Sequence, residues 1–245
     1  HSRVKIYGDD KMQRLMDFNI YQLLQSAGDD KLSNIPAKGL SGEGYEGHYF
    51  WDTEIYVFPF FLMTGRKTAK SLLGYRYQIL DAARQHARRM GHNRGALYPW
   101  RTIAGEECSS HYPSGSAQYH INADVAHSVW SYYTVTKDHQ YLADEGAEIL
   151  FETAKLWLDT GHYDDRGSFC IDGVTGPDEY TTVVNNNYYT NISAKANLLS
   201  AVKAYEILIE KGIPGRLLDL INRQDIEAFR NAAEHMVLPY NEKRG

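Results

Sequence analysis

From residue 10 to 27, Met12, Leu15, Met16, Ile20, Leu23 and Leu24 recur at three- and four-residue steps, and Gly28 closes the pattern, which predicts a helix. The periodicity then stops. Residues 35–48 carry glycine at 39, 42, 44 and 47, the composition of a long irregular loop, a kind that is more often functional than structural. Helices are predicted again over 52–63 and 66–90, the second kept in period by Leu72, Leu73, Tyr77, Leu80 and Ala83, with Thr64-Gly65 as the stop between them. Residues 91–119 are rich in glycine and polar groups and contain Tyr98-Pro99-Trp100-Arg101, so they cannot form a helix interior. Helices near 122–135 and 144–160, a loop around 173–187, and helices near 192–211 and 224–236 complete the pattern. Period-two alternation is scarce apart from a short hairpin near 169–171. About seven or eight helices joined alternately by short turns and long loops suit paired helices in a toroid, with the long loops gathered at one rim. The fold class expected is therefore all-α.

Composition narrows the chemistry. The 245 residues can bury one sizeable core, and no Pro/Ser linker marks a boundary, so 1–245 reads as part of one domain. Against 26 Lys plus Arg stand 31 Asp plus Glu, a formal charge of -5 that calls for neither nucleic acid nor an anionic membrane surface. Arg84, Arg88, Arg89 and Arg94 cluster at helical spacing and read as a solvated face. Cys108 and Cys170 make neither a disulfide framework nor a CxxC pair, and there is no membrane-length apolar run, which together suggest a reducing, cytoplasmic setting. Asn191-Ile192-Ser193 matches a glycosylation acceptor, taken as chance. His111, His120 and His127 lack ligand spacing, so no metal and no cofactor are expected.

Three loops carry candidate chemistry. Gly173-Val174-Thr175-Gly176-Pro177-Asp178-Glu179-Tyr180 sets two adjacent carboxylates on a turn fixed by glycine and proline, followed by the polyol-binding types Thr181, Thr182, Asn185, Asn186, Asn187, Tyr188 and Tyr189. A charged surface turn is the plainer alternative. Phe50-Trp51-Asp52-Thr53-Glu54 pairs an aromatic face with a carboxylate, which can hold a sugar; equally, Asp52 can cap the following helix while Trp51 fills core. Tyr98-Pro99-Trp100-Arg101-Thr102 offers an aromatic platform, a five-donor guanidinium and a hydroxyl, or an ordinary loop anchor. Glu106 and Glu107 read as a solvated acidic pair or as contacts to an acceptor sugar. Three such loops on one helical scaffold make a carbohydrate cleft the economical reading. Glycoside cleavage then needs one carboxylic acid to protonate the leaving oxygen.

The stretches Gly44-Tyr45-Glu46-Gly47-His48-Tyr49-Phe50-Trp51-Asp52-Thr53-Glu54, Ala96-Leu97-Tyr98-Pro99-Trp100-Arg101, His120-Ile121-Asn122-Ala123-Asp124 and the Gly173 to Tyr180 turn resemble the catalytic domain of glycoside hydrolase family 65 over nearly the whole chain. That family contains the inverting phosphorylases of maltose, trehalose, kojibiose and nigerose. The resemblance implies an (α/α)6 barrel, with Glu179 matching the general acid and Trp51, Asp52, Arg101 and Thr102 matching residues around the donor glucose. It places the 105–118 loop on the acceptor side. Inorganic phosphate is the nucleophile and a substrate rather than a cofactor, so no second carboxylate is needed as base. The product implied is β-glucose 1-phosphate, with glucose or another acceptor released.

Members of the family also carry an N-terminal β-sandwich and a later barrel segment that bears their phosphate contacts, and neither is visible here. The expectation is a barrel fragment that is inactive in isolation. Its partners would be a disaccharide, phosphate, the remainder of its own longer chain and, as an open option, a second copy in a homodimer. A trehalose hydrolase and a non-catalytic carbohydrate-binding fragment are the alternatives.

Overall fold

The computed structural model describes residues 3–109, 113–178, 180–212, 217 and 219–243. Its helices are α1 (Asp10–Ser26), α2 (Phe58–Thr64), α3 (Arg66–Gln78), α4 (Leu80–Arg89), α5 (His120–Thr136), α6 (His139–Tyr141), α7 (Ala147–Thr160), α8 (Tyr188–Glu210) and α9 (Arg223–His235). A π-helical turn, Thr53–Val57, leads into α2, and a second, Leu142–Gly146, joins α6 to α7. The predicted hairpin is present as β1 (His162–Tyr163) antiparallel to β2 (Phe169–Cys170).

Helix α8 lies in the middle, packed on α5, α7 and α9, while α3 packs on α2 and α5. Alanines set the close approach: Ala194, Ala201 and Ala204 of α8 and Ala232 and Ala233 of α9 are all fully buried. Around them Leu150, Phe151, Trp157, Leu198 and Phe229 fill the core, each large apolar side chain contributing about 1.5–3 kcal/mol through burial. Polar pins fix the register, since Trp157 Nε1 donates to Asn197 Oδ1 at 2.8 Å between α7 and α8.

Several sequence expectations need correction. The helix predicted over 66–90 breaks at Ile79, where the backbone turns to φ -92, ψ 7. Apolar period runs on through the bend and so could not reveal it. Gly105 packs against that bend, with room for no side chain beyond hydrogen: an added Cβ would lie 2.8 Å from Ala82 Cβ. The arginine cluster is not simply a solvated face, because Arg84 bridges from α4 to Glu148 and Glu152 of α7, and Arg94 pairs with Asp225 of α9. Helix α1 buries none of its residues; Leu23 packs on the core, whereas Met12, Leu15 and Leu24 of the predicted inner face are exposed. Asn191 is fully buried and donates to Asn186 Oδ1 and the Val237 carbonyl, so the glycosylation match has no accessible acceptor.

The long loops meet on one side of this scaffold because backbone pairing and buried side chains hold them there. Asn122, at the start of α5, donates to the Ala96 carbonyl and accepts from the Tyr98 amide, clamping the segment that leads into Trp100. Gly95 makes that path feasible: its φ is +81, and a Cβ would lie 2.5 Å from the Leu156 backbone nitrogen.

Candidate active site

The loop over 45–52 runs beside the loop over 98–102, joined by a reciprocal backbone pair in which Tyr49 N donates to Thr102 O at 2.7 Å and Thr102 N to Tyr49 O at 3.1 Å. Beneath the first loop, buried Arg76 donates to both carboxylate oxygens of Glu54 and to the Phe50 carbonyl. This fixes the turn that presents Trp51 and Asp52. Asp52 has helical backbone angles and makes no side-chain capping bond, so the capping alternative does not describe it. Burial, with the nearby Glu54 charge adding, raises the Asp52 carboxyl above its ordinary value.

On the second loop, Glu107 performs a structural task that its exposed-looking sequence context concealed. Its carboxylate accepts from the Trp100 amide at 2.7 Å and from the Arg101 amide at 3.2 Å, holding the turn from below. Arg101 Nη2 reaches Glu46 Oε2 at 3.0 Å. Tyr45 and Glu46 both sit at positive φ, a conformation that costs non-glycine residues about 1–3 kcal/mol and clusters at functional sites. Thr102 is fully buried, its hydroxyl accepting from the Gly105 amide, so it shapes the loop from within and does not line the cavity.

The carboxylate turn is tied down at its base. Val174 and Val184 exchange two backbone hydrogen bonds, Thr175 N donates to the Ala117 carbonyl, and Gly176 N donates to Thr181 O. The asparagines that looked like sugar ligands act here as pins: Asn185 accepts from the Gly173 amide, Asn186 from the Ile171 amide, and Asn187 caps α8 by accepting from Thr190 N. Asp178 accepts from the Thr181 hydroxyl at 2.7 Å and amide at 2.8 Å, which hold its carboxyl below the ordinary range. Glu179 lies outside the described residues, as do residues 110–112 of the 105–118 loop.

These loops border a half-open cleft of about 210 Å³ lined by Ala37, Tyr45, Phe50, Trp51, Asp52, Tyr56, Trp100 and Pro177. At ~30 Å³ per water, that is room for roughly seven waters, the scale of one pyranose ring. Of the predicted donor-site residues, Trp51 and Asp52 line it directly, and Pro177 brings the carboxylate turn to the same cavity. A larger space of about 360 Å³ opens between α5 and α8; its lining is mostly apolar, and Asp124 and Tyr189 border it. Behind Trp51 the structure brings together residues that the sequence names only separately: His120 and Asp124, four residues apart on α5, with Tyr189 of α8 and Gln118. Their i, i+4 spacing was the available signal.

The catalytic-domain model of glycosyl hydrolase family 65, described as its central catalytic domain, matches residues 17–245. The chain belongs to glycosyl hydrolase family 65. An α,α-trehalose phosphorylase of Geobacillus stearothermophilus is 59% identical over 98% of this chain and 32% of its own length. A kojibiose phosphorylase of Thermoanaerobacter brockii is 36% identical over 98% of this chain and 33% of its own length. A solved structure, described as a candidate kojibiose phosphorylase from human microbiome, superposes with a TM-score of 0.88 at 32% identity, covering 98% of this chain and 32% of that one. The all-α architecture of this family 65 chain is thus part of an (α/α)6 barrel. The chain spans about a third of the length of the curated relatives it matches. Among the described residues, no helix is long and apolar enough to cross a membrane.

Proposed function

We propose that this chain is the donor-side part of an inverting α-glucoside phosphorylase, acting on a glucose disaccharide such as trehalose or maltose with inorganic phosphate. The observation that carries the reading is the shared cavity: Trp51 and Asp52 from one loop, Trp100 from a second and Pro177 from the carboxylate turn line a single pyranose-sized space. In this reading the indole faces pack on the sugar's C–H groups, and Asp52 accepts from paired hydroxyls. Arg101 shapes the same wall through Glu46, and Thr102 contributes through the backbone pair with Tyr49.

Glu179 is the general acid. It gives its proton to the glycosidic oxygen as the C1–O bond breaks, while a phosphate oxygen bonds C1 from the opposite face, giving β-glucose 1-phosphate and free glucose. Asp178 suits the role less, because two hydrogen bonds from Thr181 stabilise its ionised form. The acid is restored from solvent. We further propose that residues 1–245 form one part of a barrel in a longer cytoplasmic protein whose other segments supply the β-sandwich and the phosphate contacts.

The test is disappearance of each member of a disaccharide panel, with and without inorganic phosphate, using the full-length protein. Cleavage that depends on phosphate is expected. Cleavage that proceeds equally without it would assign a hydrolase, and absence of any binding would leave only a structural domain.

A further inference from the structure

We propose that His120 is a positioning residue for Trp51, held in place by Asp124 and Tyr189, and that it sets how tightly the donor sugar is gripped. The inference rests on the reading that Trp51 packs on the sugar. His120 is wholly buried, and its ring stands edge-on to Trp51 with centroids 4.9 Å apart and an interplanar angle of 78°. The imidazole is flanked at both nitrogens: Nδ1 donates to Asp124 Oδ2 at 2.7 Å, and Nε2 lies 2.9 Å from the side-chain oxygen Oε1 of Gln118. The other oxygen of Asp124 accepts from the Tyr189 hydroxyl at 2.7 Å.

Tyr189 closes the arrangement. Its ring lies 5.4 Å from His120 and 6.2 Å from Trp51, so three rings from three different elements meet in a triangle under the cavity. The three elements are the turn before α2, the first turn of α5 and the first turn of α8. Helix α8 begins where the carboxylate-bearing loop ends, and the opposite limb of that loop is tied to Ala117, just before Gln118. A single rigid unit therefore backs both the sugar platform and the base of the acid loop. A core filled for stability alone would be served by an apolar ring at 120; a histidine bonded at both nitrogens fixes one ring orientation.

A double-mutant cycle distinguishes positioning from general structural support. In the full-length protein, the dissociation constant for trehalose is measured by calorimetry for the unsubstituted protein, His120→Asn, Trp51→Ala and the combination. Asparagine retains a donor toward Asp124 while removing the ring edge against Trp51. His120→Asn alone is expected to weaken trehalose binding by up to about tenfold, the scale of one oriented aromatic contact. In the Trp51→Ala background the same change is expected to alter affinity less than about twofold, because its route of action is already gone. Full additivity would overturn the inference. Should His120→Asn not fold, Tyr189→Phe, which deletes only the hydroxyl donated to Asp124, enters the same cycle with the same two outcomes. Failure of the unsubstituted protein to bind any disaccharide would instead sink the sugar-site reading, a result separate from additivity in a protein that binds.

Discussion

Arg76 meets Glu54 beneath the cavity with Nε 2.7 Å from Oε1 and Nη2 2.8 Å from Oε2, and neither side chain is reached by solvent. Such a pair is a weak source of net stability, because desolvating both charges offsets most of their attraction. Breaking it is another matter. Arg76→Met leaves a buried carboxylate alone and is expected to destabilise the protein by about 3–5 kcal/mol in chemical denaturation. Replacing both partners, Glu54→Leu with Arg76→Met, should recover most of that loss. Disaccharide affinity should not recover with it, since Arg76 also holds the Phe50 carbonyl that precedes Trp51. Restored affinity in the double variant would show that the pair serves stability alone.

Glu107 yields a second expectation. Glu107→Ala strips the acceptor from two consecutive amides, and a hydrogen bond to a charged group is worth about 1.5–3 kcal/mol. Disaccharide binding should weaken about tenfold or more, with Glu107→Gln, which keeps one acceptor oxygen, falling between. Equal affinity in all three proteins would show that the Glu107 bonds to this turn have no part in sugar binding.

Asp52 makes a pH-dependent prediction. Its carboxyl is raised in the folded chain, so the folded state holds that proton more tightly than the unfolded state does. The ionised form therefore lowers stability at neutral pH, and the penalty disappears below the unfolded value, where both states are protonated. Asp52→Asn should melt higher than the unsubstituted protein at pH 7, and the gap should close by about pH 3. Helix capping would give the opposite sign at pH 7.

The adjacent carboxylates separate by role. Glu179→Gln is expected to cut phosphorolysis by about 10²–10⁴-fold or more while leaving disaccharide binding within about tenfold. Asp178→Asn should retain substantially more turnover, its effect arising through the Thr181 bonds that shape the turn. The reverse ranking would transfer the acid to Asp178.

The helical scaffold and the three chemical loops were legible in the sequence because amphipathic period and glycine-proline punctuation are local signals. What pairs with what was not. The turn at Ile79 lies inside an unbroken apolar period, and α8 starts earlier than its apolar pattern because Asn187 caps a polar first turn. Glu107 and the asparagines at 185–187 look like surface or ligand groups by type, yet their partners are backbone amides distant or hidden in sequence. His120 and Asp124 carried a visible i, i+4 spacing, but only packing places the imidazole edge against Trp51.

The most direct measurement of the central claim is proton NMR of the sugar products formed from trehalose by the full-length protein, with phosphate present and then withheld. The account predicts β-glucose 1-phosphate as the first phosphorylated product, in step with glucose release, and no appreciable turnover without phosphate. Formation of α-glucose 1-phosphate, or steady release of two glucose molecules in phosphate-free buffer, would contradict it.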